Sequence, residues 1–285
     1  MTPARRAWTL FEPIHAIVYF APEAVEHYKA AGMLGGWMGY FASRSAPMGA
    51  VTPGVVTAVF HGFQPAMVAR AIPDAWHCSS PELALTARIA VVDSALRRFW
   101  GAEIASAEVA ELASTMMAVT GELRGGGRPL YTATTALAAP DVPHLKLWHA
   151  CTLLREHRFD GHVAALTANG LDGLESLITM VAAAAGIDAA TMRRFRGWTE
   201  EEWDHGVDRL RDRGIIDAAG ELTVQGRALR TAIEDTTDEL AGDVWERMDA
   251  GSREHLFAGL RRLAVLLEGP DGIAYPNPIG LSRPV

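Results

Sequence analysis

The sequence carries only two cysteines, Cys78 and Cys151, and they show no CxxC spacing. A disulfide framework is therefore excluded, and a reducing, cytoplasmic compartment is expected. Long hydrophobic runs are missing too. No stretch reaches the ~18 apolar residues of a membrane span, and the opening MTPARRAWTLFEP lacks the apolar core of a secretory signal. No membrane partner is expected. Lysine is almost absent: Lys29 and Lys146 are the only two among 26 basic residues, which with abundant alanine points to a GC-rich genome. Positive charge is in deficit, with a net charge of −8. A nucleic-acid binder normally shows a basic footprint, so DNA binding here would need a local patch. Alternating β-branched runs are scarce, and HExxH, P-loop, GxSxG and GxGxxG patterns do not occur. The chemistries those motifs carry have no signature here.

What is present is helical periodicity, in a chain of 285 residues that suffices for one large domain or two ordinary ones. Pro13–Phe20 is expected to open a helix with proline at its first position. Gly35–Ala46 sets Trp37, Tyr40, Phe41 and Arg44 at i, i+3, i+4 and i+7, which is one helical face. Gly125-Gly126-Gly127 marks a linker. His144–Arg158 is expected to end in a Phe159-Asp160-Gly161 turn, with a further helix to Ala168 and another over Asp172–Ala185. The C-terminal GPDGIAYPNPIGLSRPV is too rich in proline and glycine for a helix and reads as an extended strap. The expected organisation is a helical N-terminal domain (1–124), a linker (125–143), a winged-helix domain (144–268) and an extended tail (269–285). At an offset of 96 residues, Pro47, His61 and Phe63 meet Pro143, His157 and Phe159. If that repeat is ancestral, it implies two tandem related halves facing each other across a cleft.

The stretch Thr199–Arg230, TEEEWDHGVDRLRDRGIIDAAGELTVQGRALR, is the most structured signal. Thr199 and Glu202 form a capping box, and the three glutamates sit at the positive end of the helix dipole. Trp203, Gly206, Val207 and Leu210 face inward. Ile215-Ile216 and Glu221–Val224 read as a two-stranded wing. Here DRLRDRGII, LTVQGRAL and SREHLFAGLRRL resemble the MarR-like winged helices, over roughly Leu171–Glu268. More broadly, EPIHAIVYFAPE, GGWMGYFASRSAP, LWHACTLLREHRFDGHVAAL and GWTEEEW resemble an actinobacterial helix-turn-helix family, over nearly the whole chain. The resemblance implies a mainly α protein, a helical N-terminal half followed by a C-terminal winged helix. It carries no activity.

A MarR-like reader would place Glu201, Asp204, His205, Asp208, Arg211 and Asp212 in the major groove. Four are carboxylates, which repel phosphate and can only accept from bases. The wing tip AAGEL offers no arginine to a minor groove. Arg193, Arg194 and Arg196 are the residues that could hold DNA phosphates.

Candidate chemistry lies elsewhere. Glu12 and His15 share a helical face at i, i+3, with Tyr19 one turn on. His149, Glu156, His157, Asp160 and His162 surround the expected helix–turn–helix. Asp160 would cap the second of those helices. The dipoles would bias His162 toward the neutral form and His157 toward imidazolium, an acid/base pair. The ordinary reading, that each histidine caps carbonyls or packs, stands beside it. Glu12, His15, His157 and His162 are thus the candidate catalytic groups. Trp37, Tyr40 and Arg44, with Tyr19, His61, Trp148 and His149, would line a pocket for a flat anionic ligand, although the same aromatics read equally as core. The strongest form of the hypothesis is a haem or metal centre with His15, His61, His157 or His162 as ligand. The expected function is a small-molecule or cofactor-binding protein, with an enzyme not excluded, whose winged helix has lost DNA reading. The alternative is a MarR-like, ligand-responsive regulator that would act as a homodimer.

Overall fold

Helices supply the regular structure of the computed structural model, which describes residues 1–183 and 186–284. In chain order these are α1 (Pro3–Phe20), α2 (Glu23–Ala30), α3 (Gly36–Ser45), α4 (Pro53–Phe60), α5 (Pro65–Ala69), α6 (Asp74–Cys78), α7 (Pro81–Trp100) and α8 (Ala107–Thr120). They continue as α9 (Pro129–Thr135), α10 (Pro143–Ala168), α11 (Gly173–Ala182), α12 (Ala189–Arg196), α13 (Glu200–Asp212), α14 (Val224–Leu240), α15 (Val244–Arg247) and α16 (Ala250–Val265). The expected helix end at Ala185 and the last tail residue, Val285, lie outside the described residues. The fold is mainly helical, as the periodicity implied. No helix among the described residues is long and apolar enough to cross a membrane.

Local chemistry explains most helix starts. Ser80 and Ser106 accept from the backbone N–H groups of Leu83 and Val109. Asp172 and Thr199 open full capping boxes with Glu175 and Glu202. Each satisfies amide groups that a helix end leaves without partners. Pro13 does not open a helix. Thr2 caps α1 and Pro3 takes its first turn, so Pro13 lies inside an 18-residue helix. Burial of most of that helix's C-terminal half outweighs the missing hydrogen bond.

The 26-residue α10 is the axis of the molecule, packed on α1, α8, α9 and α14. The turn expected at Phe159-Asp160-Gly161 is absent, and α10 runs straight through it. Gly161 instead permits a close crossing. A Cβ there would stand 2.7 Å from the Arg128 guanidinium and 3.2 Å from Leu240 Cβ on α14. Asp160 caps no helix of its own. Its carboxylate accepts from the Tyr131 backbone N–H at 3.0 Å, satisfying the first turn of α9 from across the core. The segment 125–143, expected as linker, thus holds a helix with Leu130 and Tyr131 buried.

Buried apolar side chains form two clusters. One joins α1–α8, the first half of α10, α15, α16 and the tail residues Ile273 and Leu281. The other joins the end of α10 to α11–α14. Helices α15 and α16, expected with the C-terminal unit, therefore bury their apolar faces with the N-terminal helices. The segment after α13 has no strands. An isolated antiparallel bridge pairs Ile216 with Leu222, and Thr223 caps α14 so early that a second wing strand has no length. The stretches related by the 96-residue offset also differ, since His61 follows α4 at positive φ whereas His157 lies within α10. The tail runs as a strap broken by turns at Pro270-Asp271 and Pro278-Ile279 rather than extended, and it is anchored by the Asn277 side chain, which bonds Ala274 O and both backbone groups of Leu281.

Candidate functional site

Several helices turn charged faces toward one another and enclose a cavity of about 410 Å³. Arg155, Phe159, His162 and Leu166 of α10 enter it at helical spacing. From α1 come Arg5, Trp8 and Glu12, from α3 Tyr40 and Arg44, and from α14 Arg230, Glu234 and Thr237. The Phe60–Phe63 corner, α11, Arg196 at the end of α12, and Pro278–Gly280 of the strap complete the wall. The cavity therefore lies where the two apolar clusters meet.

Its charges are mostly paired. Glu156 accepts two bonds from Arg44, at 3.1 and 3.0 Å, and a third from Arg155 at 2.8 Å. Burial works against that carboxylate's charge, but Arg155 and Arg44 outweigh it and hold its pKa well below the usual range. Glu12 accepts from Arg155 at 3.3 Å and from the Trp8 indole at 3.1 Å, yet burial raises its pKa. Asp238 takes Arg158 at 2.7 Å and Arg5 at 3.0 Å, and Glu234 takes Arg230 at 2.8 Å. With the exposed Asp235, 3.9 Å from Arg5, five carboxylates so serve five of six lining arginines. Arg196 has none. It donates to Pro278 O at 2.7 Å and stacks 4.6 Å over Phe63. Burial, foremost, with Arg44 and Arg155 beside it, pushes its pKa below the arginine range against the opposing pull of Tyr40. Arg158 is 6% exposed, and its Nη1 has no hydrogen-bond partner. The aromatic rings hold these guanidinium planes in place. Arg44 lies 4.2 Å from the Phe60 centroid and 4.6 Å from that of Phe159, and Arg155 lies 4.5 Å from Phe159.

Two histidines face the cavity. The Thr237 hydroxyl spends its proton on Ile233 O at 2.7 Å, so His162 Nδ1 must donate to it at 2.9 Å. That leaves a lone pair on His162 Nε2. Burial, then Arg230 and Arg158, lower its pKa to about 3. Its neutrality was expected, but the cause is burial among arginines rather than a helix dipole. His61 sits at φ 58, a left-handed backbone that costs strain in a residue other than glycine. Its neighbours hold it there. Gly62 O accepts from the Trp198 indole at 3.0 Å, Gln64 N donates to Arg196 O at 2.9 Å, and a Cβ on Gly173 would stand 2.0 Å from His61 O. His61 Nε2 is buried without a partner.

The other candidates lie elsewhere. His15 is fully buried. Thr152 donates to Trp148 O, so His15 Nδ1 donates to Thr152 at 3.0 Å and Nε2 accepts from the Tyr19 hydroxyl at 2.9 Å. With both nitrogens engaged, His15 is no metal or haem ligand, and Tyr19 is its hydrogen-bond partner outside the cavity wall. Glu12 and His15 share α1 but serve different partners. His157 packs its ring 4.9 Å from Tyr131, away from the cavity, and burial lowers its pKa to about 4, with Arg128 adding. It is not the imidazolium expected, because α10 does not end there. Trp37 is 39% exposed at the edge of the aromatic cluster. Trp148 and His149 line a separate, smaller cavity. Among the described residues no three His, Cys, Asp or Glu side chains gather as metal ligands.

The acidic face of α13 is exposed as expected. Glu202 does more than cap, since it accepts from Gln64 Nε2 at 3.0 Å and ties α13 to the Phe60–Phe63 corner. Of the three arginines proposed for phosphate, Arg193 lies 3.4 Å from Glu200, Arg194 is exposed, and Arg196 points into the cavity. Sequence reasoning missed Arg155, Arg158, Arg5 and Arg230. The available signal was R-E-H-R at 155–158, four consecutive ionisable residues in the middle of a long helix rich in leucine and alanine.

A family model described as a helix-turn-helix family matches residues 4–269 of the chain. No curated protein matches it, and no solved structure does either.

Proposed function

The chain belongs to the helix-turn-helix family, and from that premise we propose that it binds a small anionic, aromatic ligand in the arginine-lined cavity. In this reading α11–α14 form a winged helix of MarR-like descent whose wing is reduced to one bridge. The unit serves as a cavity wall, and α13 does not enter a major groove. The observation that carries the proposal is Arg196, a half-buried guanidinium with no carboxylate partner among the described residues, which lines the same cavity as the buried Arg158, whose Nη1 is unpartnered. A guanidinium drawn partly out of water without a counter-charge carries a desolvation cost, which an anion seated there offsets. Six guanidinium groups stand against four buried or half-buried carboxylates and the exposed Asp235, 3.9 Å from Arg5, which leaves one to two positive charges and suits an anion such as an aryl phosphate or an aromatic dicarboxylate. The aromatic walls suit a flat ring, and about 410 Å³ is the size of a small-molecule site.

A second reading, a ligand-responsive regulator, draws on one observation. The cavity wall includes Arg196 and α11, so a ligand would touch the helix-turn-helix unit directly. Gel shift with the protein's own promoter separates the two. The binder reading predicts no saturable complex even at low salt. A complex that weakens steeply with salt and disappears on Arg193→Ala/Arg194→Ala would establish the regulator instead.

A further inference from the structure

Behind the Arg44–Glu156 pair lies a second cavity, of about 240 Å³, which the ligand proposal above does not use. Arg44 lines both cavities, and Glu156, its ion-pair partner, lines the second. Arg88 of α7 enters the second cavity and is 4% exposed. No carboxylate lies within 4 Å of it among the described residues. Among the described residues its guanidinium makes only long hydrogen bonds, 3.3 Å to the Tyr19 hydroxyl and 3.5 Å to Ser43. Tyr19 and Trp148 each flank it with ring centroids 5.4 Å away, which hold the guanidinium without neutralising it. His149, 5% exposed, lines the same space, and its ring nitrogens make no hydrogen bond among the described residues. Burial lowers its pKa, so it faces the cavity as a neutral donor and acceptor. The rest of the lining is Leu85, Ile89, Leu137, Ala138 and Pro47, with Ser43 paired to the Tyr28 hydroxyl and threonine hydroxyls already committed to helix carbonyls.

We propose that this second cavity is a binding site for a small monocarboxylate with a short apolar tail, gripped by Arg88 and oriented by His149. One unpaired guanidinium supplies one positive charge, and its planar fork matches a carboxylate edge. The apolar side of the cavity takes a tail of a few carbons. The volume, below the ~300 Å³ lower bound of drug-sized sites, excludes a large ring system.

Saturation-transfer NMR with butyrate on the full chain tests this. Wild type binds butyrate and does not bind neutral butyramide. Arg88→Met, which replaces a buried charge by a side chain of similar length, weakens butyrate by at least about tenfold. Ala138→Trp, at an exposed rim position, blocks the mouth without touching the core and has the same effect. Arg196→Met, in the first cavity, leaves butyrate binding unchanged. Absence of binding to folded wild type overturns the assignment, as does equal binding by Arg88→Met and Ala138→Trp. Tighter binding of inorganic phosphate than of butyrate overturns the carboxylate class.

Discussion

Lowering the pH from 7 to 5 should destabilise this protein through histidines it keeps neutral. His162 and His157 have pKa values of about 3 and about 4 in the fold, against an ordinary 6.5. The unfolded chain binds protons there that the folded chain refuses, so stability is lost as pH falls below 6.5. Linkage makes this about 2 kcal/mol for each histidine between pH 7 and pH 5. Asp160 acts the other way. Burial raises its pKa from 3.8 to about 6, so the folded chain gains its proton first. Its contribution is full below 3.8 and lost as pH rises through 6, which returns about 1 kcal/mol on the same descent. The balance is a loss of about 2–3 kcal/mol. Burial also lowers His15, His61 and His149, adding to the loss, while raised Glu12 opposes it. Urea unfolding at the two pH values measures the total. His162→Gln keeps a donor for Thr237 and removes the titration, so its pH-dependent loss should be smaller by about 2 kcal/mol. An identical loss in wild type and His162→Gln would refute the burial argument for His162.

Two substitutions probe the architecture around the cavity. Gly173→Ala places a Cβ 2.0 Å from His61 O and 2.9 Å from His61 C, both backbone atoms that cannot rotate away. It should cost about 1–3 kcal/mol in chemical denaturation and weaken ligand binding by shifting the His61 corner. Arg44→Met leaves Glu156 with Arg155 alone, a deficit in a site 2–3% exposed. Thermal or chemical unfolding should show a loss of about 3–5 kcal/mol, and adding Glu156→Gln should recover part of it.

Much of this fold was legible because local rules acted alone. Thr199 and Glu202 announced α13, and the residues expected to face outward on it do. The aromatic stripe of α3 follows from its spacing, and the non-helical tail from its prolines. The failures share a cause. Phe159-Asp160-Gly161 has the composition of a turn, yet its glycine serves the crossing of α10 over α14, and its aspartate accepts from the first turn of a helix, at Tyr131, 29 residues earlier in the chain. Arg193, Arg194 and Arg196 look equivalent in sequence. Only the approach of Pro278, 82 residues away, shows that Arg196 belongs to an interior. The arginine-lined site was half visible, through Arg44, Tyr40, Glu12, His61 and His162. Its other half, Arg155 with Arg158, Arg5 and Arg230, consists of charges normally assigned to the surface. Their burial follows from pairings between distant helices that periodicity within one helix does not reveal.

The claim that matters most is that the first cavity is an anion site built around Arg196. Isothermal titration of phenyl phosphate into wild type and Arg196→Met addresses it directly. The account predicts saturable one-to-one binding to wild type, at least about tenfold weaker in Arg196→Met, with butyrate unable to compete. Equal affinity for the two proteins, or no binding of phenyl phosphate or terephthalate to folded wild type, would contradict it.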